Sequence, residues 1–234
     1  MIVDKFIESL KQINIEINSH QLEQLELYYE LLIEWNEKIN LTAIVDKEQV
    51  YLKHFYDSLT LNKIINLKEE SSLCDIGTGA GFPGIVLKIL FPNLEITLVD
   101  SLRKRIDFLN LVIEKLKLKN ITAIHYRCEE YALKNREKFD VVTARAVAPL
   151  NILLEYAIPM VKVNKYFIAM KGNIEKEENT YNNAIELLKI EEIEIKKFLL
   201  PIEKSNRTLI KFKKLSKTSN KYPRKYSEMK KRPL

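Results

Sequence analysis

From residue 72 onward, short apolar runs alternate with longer stretches in which hydrophobic positions recur every three or four residues. The runs at 72–76, 95–99, 122–125, 140–144, 166–171, 193–198 and 208–212 read as strands. The stretches at about 84–91, 102–116, 149–160 and 177–188 read as helices. That order predicts an α/β domain, with a mostly parallel sheet of about seven strands and helices on both faces. The last two strands follow one another without a helix, across the turn residues of "LLPIEKSNRT", and so predict an antiparallel pair at one edge. The first sixty residues carry a helical period instead. Leu22, Leu25, Tyr29 and Leu32 share one face, Trp35 and Ile39 continue it, and Asn18 with Gln21 fits a capping box. A second helical stretch covers about 47–61. The expected organisation is a helical segment at 1–66, the α/β domain at 67–214 and a tail at 215–234.

Four of the five glycines fall in "SLCDIGTGAGFPGIVLKI", residues 72–89. The first strand of the domain ends at Gly77, so the in-register reading is G-x-G-x-G, through Gly77, Gly79 and Gly81. The dinucleotide fingerprint G-x-G-x-x-G fits only from Gly79, two residues late. A P-loop fails, because Ile85 and Val86 stand where Lys and Ser/Thr are required. Pro83 suits the first position of the helix that follows. Each glycine carries an entropic cost that one tight turn would not require, so the loop is read as approaching a ligand.

In open parallel sheets the ligand sits at the carboxyl ends of the strands. The second strand leads into Asp100, which can accept both ribose hydroxyls of an adenosine or, with Ser101, serve the start of the next helix. NAD, FAD and S-adenosylmethionine all carry that ribose. Cys128, Glu129 and Glu130 follow the third strand, placed to frame an adenine edge. Arg145, in "TARAVAPL", follows the fourth. Asp75, two residues before Gly77, favours a cationic sulfonium and would repel a dianionic pyrophosphate. Its alternative role is to brace the turn.

Hydrophobic residues make up 46% of the 234, enough for a sizeable core. No apolar run approaches the 18 residues of a membrane span, and the start lacks a signal-peptide pattern. Cys74 and Cys128 lie far apart, which fits a reducing cytoplasm, and no metal-binding spacing appears among Cys or His. The net charge of +6 is uneven, because residues 211–234 hold ten Lys/Arg against Glu228 alone. That ending reads as a polyanion-binding arm. His54, Asp57 and Ser58 share one helical face but cannot form a relay with an oxyanion hole, so no hydrolase is read from them. The three are read instead as lining an RNA or cofactor cleft, with a capping or packing role as the alternative.

The segments "CDIGTGAGFPGIVLKI", "VDSLRKRIDFL", "CEEY" and "TARAVAPL", in this order, resemble the RsmG family, also called glucose-inhibited division protein B. "INLTAIVDKEQVYLKHFYDSL" upstream and the ending "KYPRK…KKRPL" resemble it too, so the likeness covers nearly the whole chain. The resemblance implies a class I (Rossmann-like) methyltransferase fold with S-adenosyl-L-methionine as cofactor. It implies 16S rRNA or the small ribosomal subunit as partner, with N7 of one decoding-region guanine as methyl acceptor. By matching positions it places Gly77, Phe82, Cys128, Glu129 and Arg145 at the cofactor and Asp100 on the ribose. Cys128 stands where many members carry a small or aliphatic residue, so backbone contacts rather than thiol chemistry are expected there. The ending lacks the glycine-containing turn that often follows "YPRK".

Guanine N7 offers a lone pair at neutral pH, so no general base, and in that sense no catalytic residue, is expected. No D-P-P-Y-like element follows the fourth strand and no catalytic cysteine pair is present. A bidentate Arg145 on O6 and N7 would cover the atom to be methylated, so Arg145 is expected on cofactor, phosphate or O6 alone. An ion pair bracing the strand end is its alternative. His54, Arg145, Arg224 and Lys225 are the substrate-side candidates. A monomer without metal is expected. Two other readings remain: an NAD-dependent oxidoreductase, which leaves Asp75 and the basic ending unexplained, and a non-catalytic RNA-binding module on a vestigial fold.

Overall fold

The computed structural model describes residues 2–234. Seven strands form one sheet: β1 (Ser72–Ile76), β2 (Glu95–Asp100), β3 (Ile121–His125), β4 (Phe139–Arg145), β5 (Val161–Lys171), β6 (Ile190–Leu199) and β7 (Asn206–Lys214). Their order is β3-β2-β1-β4-β5-β7-β6. Strands β1 to β5 are parallel, and β7 lies antiparallel between β5 and β6. The chain winds outward from β1 to β3, then returns to β4 on the other side. The crevice above β1 and β4 is therefore the topological switch point, where open α/β sheets hold their ligands.

The helices, in chain order, are α1 (Ile2–Lys11), α2 (Ser19–Ile39), α3 (Lys47–Val50), α4 (Asp57–Leu59), α5 (Gly84–Leu90), α6 (Arg103–Lys115), α7 (Cys128–Lys134), α8 (Leu150–Ala157), α9 (Asn182–Leu188) and α10 (Tyr226–Lys231). A π-helical turn at Tyr51–Tyr56 joins α3 to α4. All seven strands lie where the apolar runs predict them. Helix α7 was not anticipated, because seven residues are too few for a helical period and no side chain caps its start. The stretch at 177–188 is helical only over α9. Glu177 instead turns its carboxylate to the Leu150 amide and the Lys171 ammonium. Pro83 stands just before α5 rather than in its first position.

Alternate strand residues enter two cores. Leu73, Leu98, Val141 and Ile168 face one, while Cys74, Val99, Val142 and Phe167 face the other. The first core is continuous with the N-terminal helices through Leu10, Leu25, Tyr28, Leu32 and Phe55. Helix α2 has the capping box its sequence predicts, Asn18 and Gln21 each bonding the other's backbone amide. Its buried stripe runs through Leu25, Tyr28, Leu31 and Leu32. Tyr29 sits at the margin, where its hydroxyl reaches the Val45 carbonyl.

Residues 215–234 lie against the second core. Tyr222 and Met229 are buried there. The Arg224 guanidinium binds both carboxylate oxygens of buried Glu155, at 2.8 and 2.6 Å. Arg136 donates to the carbonyls of Thr218 and Tyr222. Lys217, Lys221, Lys225, Lys230, Lys231 and Arg232 remain exposed.

Asp75 ties β1 to α5. Its Oδ2 accepts the Thr78 hydroxyl at 2.6 Å and the Gly84 amide at 2.9 Å. Its Oδ1 is buried with no hydrogen-bond partner among the described residues. Asp75 thus has the bracing role that was its alternative in the sequence. Burial pushes its carboxyl from the ordinary 3.8 up to about 7. The folded state then keeps a proton that the unfolded chain releases, so stability falls as pH rises between those values. Asp75→Asn retains the acceptor and removes the titration. In urea unfolding from pH 4.5 to 8, the wild-type stability measured relative to that variant is expected to decline with rising pH up to about 7 and then level off.

Candidate functional site

Two cavities open at the carboxyl ends of the strands. The larger, about 450 Å³, is lined by residues that include Thr42, His54, Gly79, Phe82, Arg145 and Arg207. The smaller, about 390 Å³, includes Asp100, Cys128, Glu129, Tyr156 and Tyr226. They share Gly77, Arg105 and Ala146, and so form one two-lobed cleft across the switch point.

The glycine loop forms the ridge between the lobes. Gly77 and Gly79 both have positive φ, at 65° and 61°. A Cβ on Gly77 would meet Val147 Cγ2 at 2.6 Å, whereas one on Gly79 would meet nothing within 4 Å. Gly79 therefore keeps the cleft open, and Gly77 makes room for the loop after β4. Apart from that of Ala80, the loop's amides are already engaged. Gly77 and Thr78 donate to the Val99 carbonyl, Gly79 to Asp100 Oδ2, Gly81 and Phe82 to the Thr78 carbonyl, and Gly84 to Asp75. The loop is not a nest of free donors of the kind that cradles a pyrophosphate. It is also held from outside, since the buried Tyr28 hydroxyl donates to the Ala80 carbonyl.

In the smaller lobe, Asp100 takes the helix-start role that was one of its two expected roles. Its Oδ1 accepts the Leu102 amide at the start of α6, and its Oδ2 accepts Gly79 N, each at 2.9 Å. Arg105 approaches the same Oδ2 at 3.3 Å. Oδ1, with one donor on it, keeps further acceptor capacity. Cys128 and Glu129 open α7 beside it. Burial pushes the Cys128 thiol up to about 12, so it stays protonated and is no nucleophile.

In the larger lobe, Arg145 at the end of β4 reaches across to the N-terminal segment. Its Nη1 donates to the Lys53 carbonyl and to Asp57 Oδ2, both at 3.0 Å. Its Nη2 lies 3.2 Å from His54 Nδ1. The guanidinium also lies over the Phe82 ring, 5.2 Å from its centroid, and His54 stacks on that ring at 4.5 Å. Arg207, at the start of β7, takes the other oxygen of Asp57 at 2.9 Å. Arg145 is thus the brace that was its alternative, while still lining the cleft. Burial and the Arg145 charge lower His54 to about 3, so its imidazole is neutral.

The structure gathers Gly77, Phe82, Asp100, Cys128, Glu129, Arg145 and His54 around one cleft. It leaves Arg224 outside, anchored to Glu155, and Lys225 exposed beside it. Sequence reasoning passed over Tyr28, Thr42 and Arg207, and read Tyr226 only as an aromatic of the tail that could stack on RNA bases, whereas it lines the smaller lobe. Arg207 carried no local motif, because its place is set by strand order. Asp57 was read with His54 and Ser58 as lining a cleft, and it does line the larger lobe, but its role in pairing Arg145 and Arg207 was not read from the sequence.

Among known families, the model of GidB, described as rRNA small subunit methyltransferase G, matches residues 21–209. A protein of Oceanobacillus iheyensis named ribosomal RNA small subunit methyltransferase G is 50% identical over 234 residues, spanning 99% of this chain and 98% of its own. One of the same name from Bacillus subtilis is 46% identical over 237 residues, spanning 100% and 99%. A solved SAM-dependent methyltransferase from Aquifex aeolicus is similar in fold, with a TM-score of 0.54 at 18% identity, covering 71% of this chain and 93% of its own. With the family model covering most of the chain and full-length relatives near half identity, the chain belongs to the rRNA small subunit methyltransferase G family.

Proposed function

We propose that this protein transfers the methyl group of S-adenosylmethionine to N7 of a guanine in 16S rRNA. The observation that carries the reading is the two-lobed cleft, whose donors and charges suit a sulfonium-bearing nucleoside better than a pyrophosphate. Apart from that of Ala80, the loop amides are engaged internally. Five cations line the larger lobe, and each is paired with a carboxylate: Lys53 with Glu203, Arg105 with Asp100, Lys171 with Glu177, and Arg145 and Arg207 with Asp57. In the larger lobe, no clamp for two phosphate charges is left over. The acceptors that do remain, on Asp100 and Glu129, suit the hydroxyl and amino donors of an adenosine. The open space at Gly79 leaves room for its close approach.

When bound, the cofactor supplies an electrophilic methyl on a positively charged sulfur. The chain's own residues supply position and surroundings. Asp100 and Glu129 would hold the nucleoside in the smaller lobe. Phe82, flanked by His54 and Arg145, gives the larger lobe a rigid aromatic wall. His54 is not poised as a base, because Arg145 occupies its Nδ1 and its other nitrogen is bonded to Thr42. That agrees with an acceptor that has no proton to lose. Rate enhancement then comes from holding N7 in line with the methyl. The same reading makes the protein a cytoplasmic monomer that needs no metal. The exposed cations of residues 215–234 are its phosphate contacts.

Three outcomes test the reading. Gly79→Ala puts a methyl into the open ridge with the least strain a side chain can impose at that positive φ, and calorimetry with S-adenosylhomocysteine is expected to show weakened binding, with circular dichroism checking that the fold is kept; NAD is expected to give no heat with the wild type. Arg145→Ala is expected to lower methyl transfer at least about tenfold, the equivalent of roughly 1.4 kcal/mol in the barrier. It should also lower the melting temperature, because buried Asp57 loses one of its two partners. Unchanged turnover in that variant would confine Arg145 to a structural role. Replacing Lys225, Lys230, Lys231 and Arg232 by Gln should leave cofactor affinity intact. If all four meet phosphates, the salt slope of RNA binding falls in magnitude by roughly three. An unchanged slope would show that these cations do not contact the RNA.

A further inference from the structure

We propose that Thr42 reads the oxygen at position 6 of the target purine, an inference that rests on the guanine-N7 reading above. Adenine also exposes N7, so an N7 methyltransferase must separate the two purines elsewhere. On the same edge, position 6 is a carbonyl acceptor in guanine and an amino donor in adenine. A side chain fixed as a donor beside that position would admit one and reject the other.

The hydrogen bonds of the larger lobe fix Thr42 in that state. A guanidinium has no lone pair, so Arg145 Nη2 must donate to His54 Nδ1, 3.2 Å away. Nδ1 is then the acceptor of a neutral ring, and the ring proton resides on Nε2. Nε2 lies 2.9 Å from Thr42 Oγ1 and donates to it. The Ile44 amide donates to the same oxygen at 3.0 Å. Both lone pairs of the hydroxyl are therefore filled. Its own proton has no acceptor among the described residues, and Thr42 lines the larger lobe. A threonine hydroxyl ordinarily donates or accepts as its neighbour requires. Here it can only donate.

The arrangement is rigid. The Thr42 amide donates to Asn36 Oδ1 at 2.8 Å, His54 is stacked on Phe82, and Arg145 is held by Asp57. Guanine O6 completes the hydroxyl's bonding, whereas the adenine amino group would face it donor to donor. Arg145 then acts on the base through His54 and Thr42, as a positioning residue, and leaves N7 uncovered.

The test uses small subunits from cells that lack this protein, single-turnover methyl transfer, and calorimetry with S-adenosylhomocysteine. Thr42→Val removes the donor at nearly constant shape, and Thr42→Ser keeps it. Thr42→Val is expected to slow transfer by about 10- to 100-fold, the effect of losing one good base contact, with cofactor affinity unchanged. Thr42→Ser is expected to restore transfer to near the wild-type rate. Should Thr42→Val fail to fold, the wild type decides alone, on subunits reconstituted with inosine or 2-aminopurine at the methylated position. Inosine keeps O6 and 2-aminopurine lacks it, so 2-aminopurine is expected to be the slower by a similar factor. Wild-type transfer by Thr42→Val would overturn the inference, as would a parallel loss of cofactor affinity, or 2-aminopurine reacting as fast as inosine. A wild type that transfers no methyl to the subunits defeats the methyltransferase reading itself, and the inference with it.

Discussion

The cleft depends on one buried carboxylate. Asp57 is 4% exposed and holds Arg145 on one oxygen and Arg207 on the other. Taking a carboxylate out of water is costly unless its partners are well placed. Two guanidinium groups from different strands meet that condition, and in doing so they fix three elements together. The N-terminal segment, the end of β4 and the start of β7 converge on this residue. The polar side of the larger lobe is set by that convergence, including the Arg145 and His54 flanks of Phe82. Without it, the N-terminal helices would still share the core below and keep the Tyr28–Ala80 and Lys53–Glu203 contacts, but both guanidinium groups would lose their shared carboxylate.

The second constraint is the internal satisfaction of the glycine loop. Its amides bond to the Val99 carbonyl, to Asp100 and to Asp75, and its Ala80 carbonyl is taken by Tyr28. A loop so saturated offers a ligand shape and acceptors rather than free donors. That is the physical difference between this cleft and one built for a dinucleotide, and it arises from two acids that both point inward.

The sheet was legible because central strands of parallel sheets carry unbroken apolar runs, and every such run became a strand. The glycine loop and Asp100 were legible because a strand-to-helix turn with positive φ selects glycine locally. Helix α7 was not, since seven residues hold less than two turns of pattern. The roles of Asp75 and Arg145 were each visible only as one of two alternatives, because a charged side chain near a ligand site looks the same in sequence whether it faces the ligand or a neighbour. Thr42 was invisible for a different reason. Its donor state depends on three partners, Ile44, His54 and Arg145, the last of them more than a hundred positions away.

The distance in sequence between Asp57 and Arg207 has a consequence for synthesis. These partners are 150 residues apart, and β7 enters the sheet between β5 and β6 only after both have been made. A chain emerging from the ribosome can form the β1–β4 crevice early, because those strands and their helices are contiguous. The larger lobe closes only when the penultimate strand of the sheet order, made last, slides into place and brings Arg207 with it. Tyr226 completes the wall of the smaller lobe later still. A chain lacking β7 thus carries the glycine loop and most of the smaller lobe but not Arg207, so its larger lobe stays incomplete.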